Sequence, residues 1–308
     1  MKVLFAVDGS EHSLAAVAQV GRLLTAQRDQ VALFCAPPSK FFTSASADKT
    51  VLERARRSLV DAIFAEARRR LPEPLQAKAE TIIADQHDAR NGIPAAADAW
   101  QAGLIVLGAR GLGRFERLLV GSVSRAVVHS SNIPVWVSRA TGTADQNAAR
   151  ALQVLLTCEN PQQECKHASM LEKLTWPTGS VCHVLSAIPS LFAGKVPDWL
   201  QQQARSPDVE AMVQAWAHEH DEEIATTRVR LEAFTSKLPP VFSQYETEVV
   251  EGEPSAAVLA QIAKQKIDVV LVGAHHKTRL SSALLGSTSD AVLNHAPCSV
   301  LVVPLPAR

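Results

Sequence analysis

Short apolar runs alternate along the chain with longer stretches whose apolar residues recur at helical spacing. The runs of the first half are rich in Val, Leu and Ile and are bounded by Gly, Pro or polar residues, which is typical of strands covered on both faces. The predicted strands are residues 3–7, 31–35, 81–84, 104–108 and 135–138, and the predicted helices include 13–24 and 51–71. Alternation of strand and helix predicts a doubly wound parallel sheet with helices on both sides.

The second half of the chain repeats the first. From Gly108 to Gly273, and from Gly121 to Gly286, the offset is 165 residues, whereas at the first matching pair it is 151, so the second copy carries about 14 extra residues in its middle. A period this long predicts two domains of one fold, not a solenoid. The matching segments are 2–10 with 153–161, 102–111 with 267–276, and 118–137 with 283–302.

The boundary between the two copies is marked by the polar stretch ATGTADQNAAR, residues 140–150, which has no apolar periodicity. We expect this stretch to be a linker between domain 1, residues 1–139, and domain 2, residues 151–308. A length of 308 residues by itself also suggests about two domains.

Composition excludes several classes of protein. Lys and Arg together number 31, as do Asp and Glu, so the chain has no net positive charge that would attract nucleic acid or an acidic membrane. No apolar run approaches the roughly 18 residues that a membrane span requires, and the first residues lack the pattern of a signal peptide. The five cysteines are few and odd in number, which indicates reduced packing residues and a cytoplasmic location.

The strand ends carry the candidate chemistry, because ligands of such sheets bind where the strand order reverses. Asp8-Gly9-Ser10 follows the first strand, and Gly108 and Gly111 follow the fourth, with Gly121-Ser122 opening the next helix. Glycine lets backbone N–H groups approach an anion, and a helix start favours a phosphate by roughly 0.3–1 kcal/mol. Asp8 can accept hydrogen bonds from ribose hydroxyls or hold a phosphate-bound metal. The alternative is that each glycine makes a tight turn and that Asp8 caps a helix.

The spacing Gly108-x2-Gly111-x9-Gly121-Ser122 resembles the nucleotide signature of the universal stress protein family, and Val-Asp-Gly-Ser after the first strand resembles that family's opening motif. The resemblance covers nearly the whole chain, once in each half, and so indicates a tandem universal stress protein. It implies two five-stranded parallel sheets of the adenine-nucleotide α-hydrolase type. It also implies that the cofactor is ATP, with or without Mg²⁺.

The family's nucleotide contacts can be carried over by position. We predict no catalytic residue and no protein ligand for a metal. Arg110 and Arg114 flank the motif, either as added charge on a phosphate or as solvated side chains. The implied contacts are Asp8 at the ribose, Ala6 and Val7 beside the nucleoside, Ala36 at the adenine, and Gly108, Gly111, Gly121, Ser122, Val123 and Ser124 at the phosphates.

The second copy departs from the signature. His276 stands where the first copy has Gly111, and Glu159 stands where it has Asp8. Asn160-Pro161 replaces Gly9-Ser10 and restricts the backbone. A side chain at position 276 would fill the space in which backbone should approach a phosphate. We therefore expect the second half to be degenerate for ATP.

The first copy departs from the family pattern at another place. Gly252-Glu253-Pro254 precedes the third helix of the second half, as is usual in the family, whereas the first half has His87-Asp88-Ala89 with Gly92-Ile93-Pro94 just beyond. We expect this turn to be rebuilt or shifted by several residues in the first half.

Several clusters of histidine and cysteine suggest metal ligands, but none has the CxxC or HExxH spacing of a zinc site. His218 and His220 are two residues apart on a predicted helix and do not face one way. We interpret all of these residues as surface or packing residues: His218, His220, His275, His276, Cys182, His183, Cys158, Cys165 and His167.

Three functions stay open from the sequence. The first is a stress-response module that binds ATP in its first half; the second is a slow ATPase at the same pocket; the third is an interaction protein in which nucleotide is incidental. Binding is favoured over turnover because no general base is evident. The resemblance implies that strands 134–138 and 299–303 pair and join the halves as an intrachain pseudo-dimer. An unidentified protein partner and a further homodimer also stay open.

Overall fold

A computed structural model describes most of the 308 residues. The linker predicted at 140–150 lies outside the described residues except for its last residue. The described residues are 1–36, 49–84, 88–111, 120–139, 150–189, 207–236, 238, 240–242, 244–275 and 285–305.

The described part of the first half alternates strand and helix from its beginning. Its elements are β1 (Lys2–Ala6), α1 (Glu11–Gly21), β2 (Gln30–Cys35), α2 (Lys49–Arg70), the short α3 (Glu73–Gln76), β3 (Glu80–Ile83), α4 (Ala89–Trp100), β4 (Leu104–Gly108), α5 (Ser122–Ser130) and β5 (Val135–Ser138).

The second half repeats this order. Its elements are β6 (Gln153–Thr157), α6 (Pro161–Glu172), β7 (Val181–Ile188), α7 (Pro207–Thr235), β8 (Gln244–Glu251), α8 (Pro254–Gln265), β9 (Val269–His275), α9 (Ser287–His295) and β10 (Ser299–Leu305).

All of these strands form one ten-stranded sheet in the order β3-β2-β1-β4-β5-β10-β9-β6-β7-β8. Each half contributes five parallel strands. The order reverses between β1 and β4 in the first half and between β6 and β9 in the second. The predicted fold class, two tandem doubly wound five-stranded sheets, is confirmed.

The two sheets are joined by the antiparallel pair of β5 and β10, which we call the seam. Trp136 lies opposite Leu301, which is its own equivalent at the 165-residue offset, so the pseudo-twofold axis passes through this pair. Both side chains are fully buried. The pairing of the last strands of the two halves, implied by the family resemblance, is therefore present within one chain.

Helices cover both faces of the sheet, and the apolar side chains form one buried cluster on each face. On one face α1, α2, α6 and α7 supply Leu14, Val60, Leu171 and Leu231, with Trp136 at the seam. The other face is covered by α4, α5, α8 and α9. Each cluster includes residues of both halves, so the hydrophobic core continues across the seam.

The predicted strands of the first half agree with the observed ones within two residues. The first helix begins two residues earlier than predicted, because Ser10 serves as its N-cap and accepts a hydrogen bond from the amide of Ser13. It also ends earlier, at Gly21, where a Cβ would lie 3.1 Å from a methyl group of Leu71.

The third helix begins at the same place in both halves. In the first half, Asp88 is the N-cap of α4, and in the second half Glu253 is the N-cap of α8, at the same 165-residue offset. Both helices also end in a left-handed residue, Gln101 and Lys266, again 165 residues apart. The helix start is therefore not shifted by several residues, whereas residues 85–87 of the turn lie outside the described residues. Asp88 thus takes the place of Glu253 without moving the helix.

The longer middle of the second half contains α7, which has 29 residues where α2 has 22. It packs against β7 and β8. The half-buried Trp216 on this helix stacks on the ring of His220 at 5.3 Å, which makes it a packing residue. Trp199 lies outside the described residues.

Candidate functional site

A cavity of about 520 Å³ opens at the carboxyl ends of β1 and β4. This is the point at which the strand order of the first half reverses, where doubly wound sheets bind their ligands. The end of β2 and the first turns of α4 and α5 complete its walls.

Every residue that the sequence assigned to the nucleotide, apart from the alternative Arg114, lines this one cavity. Arg114 lies outside the described residues. The predicted residues that line the cavity are Ala6, Val7, Asp8, Ala36, Gly108, Arg110, Gly111, Gly121, Ser122, Val123 and Ser124. The lining residues that the sequence did not single out are Ser13, Phe34, Ala89, Arg90, Ile93, Leu107 and Val120.

Asp8 is held in a fixed orientation at the end of β1. The amide of Ser10 donates to its Oδ1 at 3.0 Å, and the Ser10 hydroxyl donates to the same oxygen at 2.6 Å. This turn requires a left-handed residue, which Gly9 supplies with φ of +82°. The Asp8 side chain therefore does not cap α1, as one alternative had it; Ser10 caps the helix and orients Asp8.

Each glycine of the motif lies where a side chain would meet a different neighbour. A Cβ at Gly108 would lie 2.7 Å from the carbonyl carbon of His12, so this glycine lets the first turn of α1 pack on the end of β4. A Cβ at Gly111 would collide with Oδ2 of Asp8. At Gly121 a Cβ would lie 3.3 Å from the carbonyl oxygen of Ala109. The spacing read from the sequence thus also encodes how β1, β4 and α1 meet.

The first turn of α5 faces the cavity. Its N-cap, Gly121, offers no side-chain cap, and the first N–H groups of a helix have no intrahelical acceptor. The hydroxyl of Ser124 donates to the carbonyl oxygen of Gly108 at 2.7 Å and ties the helix start to the end of β4. The backbone amides of Ser122 and Val123, together with the Ser122 hydroxyl, are therefore available as donors to an anion that enters the cavity.

Arg90 is the charged lining residue that the sequence did not identify. It is the second residue of α4, and its guanidinium Nη2 donates to the Ser122 hydroxyl at 3.2 Å. Arg110 also lines the cavity. The charged side chains of the described lining are therefore Arg90, Arg110 and Asp8.

The strand ends of the second half are filled differently. Thr157 occupies the position of Ala6, and the buried Gln163 occupies that of Ser13 when the two helix caps are aligned. The side-chain Nε2 of Gln163 donates to the Thr157 hydroxyl at 3.2 Å, and its Oε1 accepts from the backbone N–H of Glu159 at 2.7 Å.

Larger side chains thus stand in the second half at two positions that line the cavity of the first. Gly273 is packed from both sides, since a Cβ there would lie 2.6 Å from Leu305 and 2.8 Å from Gln163. His276, on which the prediction of a degenerate second site also rested, lies outside the described residues.

The histidines and cysteines considered as metal ligands are spread over the fold. His218 faces Glu222 at 3.3 Å, and His220 faces Glu251 at 3.1 Å. All five cysteines are free thiols, and four of them are buried. Burial, together with the negative charge of Asp8, raises the pKa of Cys35 to about 12. In the described ranges no group of three or more His, Cys, Asp or Glu side chains is placed to hold a metal ion.

Fold and cavity together define a class of protein: a duplicated doubly wound α/β chain with a ligand-sized cavity at the switch point of its first half. The profile described as "Universal stress protein family" matches residues 1–139 and 181–304. The chain therefore belongs to the universal stress protein family. None of the helices in the described part of the chain is long and apolar enough to span a membrane.

Known relatives agree with this assignment. A stretch of 62 residues is 39% identical to Universal stress protein MJ0531 of Methanocaldococcus jannaschii and covers 20% of this chain and 36% of that protein. The chain thus aligns with about a third of the length of this relative.

Two solved structures match the chain over 99% of its length. One is a universal stress protein from Archaeoglobus fulgidus, with a TM-score of 0.59, 16% identity and 96% of that chain covered. The other is described as a putative universal stress protein from Pseudomonas aeruginosa, with a TM-score of 0.56, 17% identity and 93% covered. At these identities the likeness concerns the fold.

Proposed function

We propose that the first half of the chain binds an adenine nucleotide, ATP, and that this binding serves a stress-response role. The observation that carries the proposal is the convergence on one cavity of eleven residues that the family resemblance and its flanking Arg110 had singled out. Its volume of about 520 Å³ lies in the range of small-molecule sites.

The lining is divided in the way that a nucleotide requires. Ala6, Val7 and Ala36, with the ring of Phe34, supply apolar surface for a base. Asp8, held by Ser10, presents a carboxylate that can accept hydrogen bonds from ribose hydroxyls.

The phosphates would lie at the first turn of α5. Free N–H groups and the positive end of the helix dipole favour an anion there by roughly 0.3–1 kcal/mol per charge. Mg²⁺ would arrive with the phosphates, because Asp8 is the single carboxylate in the described lining.

Binding without rapid turnover fits this lining best. The described lining contains no histidine, and one oxygen of Asp8 already accepts two hydrogen bonds from Ser10. A general base for hydrolysis would need a free acceptor next to the attacking water. We therefore propose a binding module, with slow ATP hydrolysis or a purely protein-docking role as the alternatives.

Thermal unfolding of the purified full chain with ATP and Mg²⁺ tests the proposal. At a hundredfold excess over the dissociation constant, a ligand stabilises the folded state by about 2.7 kcal/mol. Mass spectrometry of small molecules released from freshly purified, denatured protein identifies any nucleotide that co-purifies. No thermal shift and no released nucleotide would reject binding, and a shift without ADP production would reject the ATPase alternative alone.

A further inference from the structure

Two helix starts converge on the cavity of the first half, and Arg90 connects them. Asp88 caps α4, and its Oδ1 accepts the amide of Arg90 at 3.0 Å, so the base of the arginine side chain is fixed by the cap. The Asp88 Oδ2 also accepts the side-chain amide of Asn91 at 2.6 Å, which holds the cap itself. Arg90 therefore projects from an ordered backbone position.

The guanidinium of Arg90 lies at the beginning of α5. Its Nη2 is 3.2 Å from the hydroxyl of Ser122, the first residue of that helix. Both side chains line the cavity and are exposed to it. An anion at the N–H groups of α5 would thus lie within reach of the remaining guanidinium donors. Arginine suits this position because its planar fork binds phosphate oxygens in pairs.

The second half has no charge at the equivalent place. Ser255 stands where the first half has Arg90, and its hydroxyl donates to Oε2 of Glu253 at 2.7 Å. The side chain is therefore turned back on the helix cap. Pro254 precedes it, whereas Ala89 precedes Arg90. Arg90 and Ser255 thus occupy the same place, the second residue of the helix, behind caps of the same kind.

We propose that the guanidinium of Arg90 binds the phosphate groups of the nucleotide, so that the affinity for adenine nucleotides depends on the number of phosphates. This inference rests on the proposed function, since it assigns a specificity-determining residue within the same cavity. Adenosine, which ends at the ribose, does not reach Arg90. AMP, ADP and ATP carry increasing negative charge toward it.

The test compares the affinities of adenosine, AMP, ADP and ATP for the full-length chain and for Arg90→Ser, which copies the residue of the second half. A hydrogen bond to a charged group contributes about 1.5–3 kcal/mol, so we expect ATP to bind about tenfold or more weakly to the variant. Adenosine affinity should change less than about twofold, because the base and ribose contacts remain. Arg90→Lys, which keeps the charge without the fork, should bind ATP with intermediate affinity.

Arg69→Ser is the matched control. Arg69 is exposed on α2, pairs with Glu66 at 3.2 Å and does not line the cavity, so its removal changes the net charge equally. This control should leave all four affinities unchanged.

Separate outcomes would overturn each proposal. Equal weakening of adenosine and ATP in Arg90→Ser would show that the residue only supports the local fold. Unchanged ATP affinity in Arg90→Ser would also reject the inference, while nucleotide binding itself would stand. Failure of the wild-type chain to bind any of the four compounds would overturn both the inference and the proposed function.

Discussion

His167 lies in the centre of α6 with no exposed surface. It is the seventh residue after the helix cap Asn160, and the residue in the same place of α1 is the buried Val17. An imidazole thus replaces a core valine in the second half. Neither ring nitrogen makes a hydrogen bond of good geometry with the described residues.

This burial makes the stability of the chain depend on pH. Burial lowers the pKa of His167 from 6.5 to about 4, and the backbone carbonyl groups of Val272 and Thr157 offset this only in part. As pH falls below 6.5, the unfolded chain binds a proton that the folded chain does not bind until about pH 4. The stability that the neutral His167 provides is therefore fully present above pH 6.5 and is lost as the pH falls from 6.5 to about 4. At 1.36 kcal/mol per pH unit, the loss amounts to about 3 kcal/mol.

Urea unfolding of the full chain, followed by tryptophan fluorescence at pH 7 and pH 4.5, measures this effect. Between pH 7 and pH 4.5, the free energy of unfolding of His167→Val should fall by about 2–3 kcal/mol less than that of the wild type. This difference does not depend on the stability of the variant at pH 7. His167→Gln provides a second variant of closer volume. His218→Gln, at an exposed histidine, is the matched control. Parallel pH profiles for the wild type and both His167 variants would refute the reasoning.

Three further predictions follow from particular contacts. Gly121→Asp should abolish the thermal shift with ATP, because it places a carboxylate at the phosphate position. Gly286→Asp should leave the shift nearly unchanged, since this helix cap has no atom within 4 Å of an added Cβ. Equal losses of the shift in the two variants would contradict the asymmetry of the two halves. Gly108→Ala should lower the free energy of unfolding in urea by about 1–3 kcal/mol, because the new methyl group would lie 2.7 Å from backbone, and an unchanged urea midpoint would count against this packing role. Arg125→Asp and Asp290→Arg should each cost up to about 1 kcal/mol, since the 3.2 Å ion pair across the seam is partly exposed, and the double reversal should restore the loss; additive losses in the double variant would show that the two side chains do not interact.

Much of the site was accessible from the sequence because its parts follow directly after strands. An aspartate after β1 and glycines after β4 meet at one edge of any sheet in which these strands are neighbours. The internal repeat strengthened this prediction, since β4 and the helix after it recur in the second half at an offset of 165 residues.

Arg90 could not be found in this way. It is 32 residues from Ser122 in sequence, and no motif connects the two. Their contact exists because α4 and α5 lie side by side on one face of the sheet with both N-termini at the same edge. The sequence shows only that Arg90 has an uncharged counterpart, Ser255, in the second half.

The sequence by itself determined the alternation of strands and helices, the duplication and the positions of the nucleotide motif. These features depend on local periodicity and on spacing along the chain. Tertiary structure decided what each motif residue contacts. Gly108 makes room for the backbone of α1, and Gly111 makes room for the carboxylate of Asp8. It also decided that Arg125 meets its own counterpart, Asp290, because the seam brings together residues 165 positions apart. Such contacts depend on the packing of whole sheets, which local patterns do not specify.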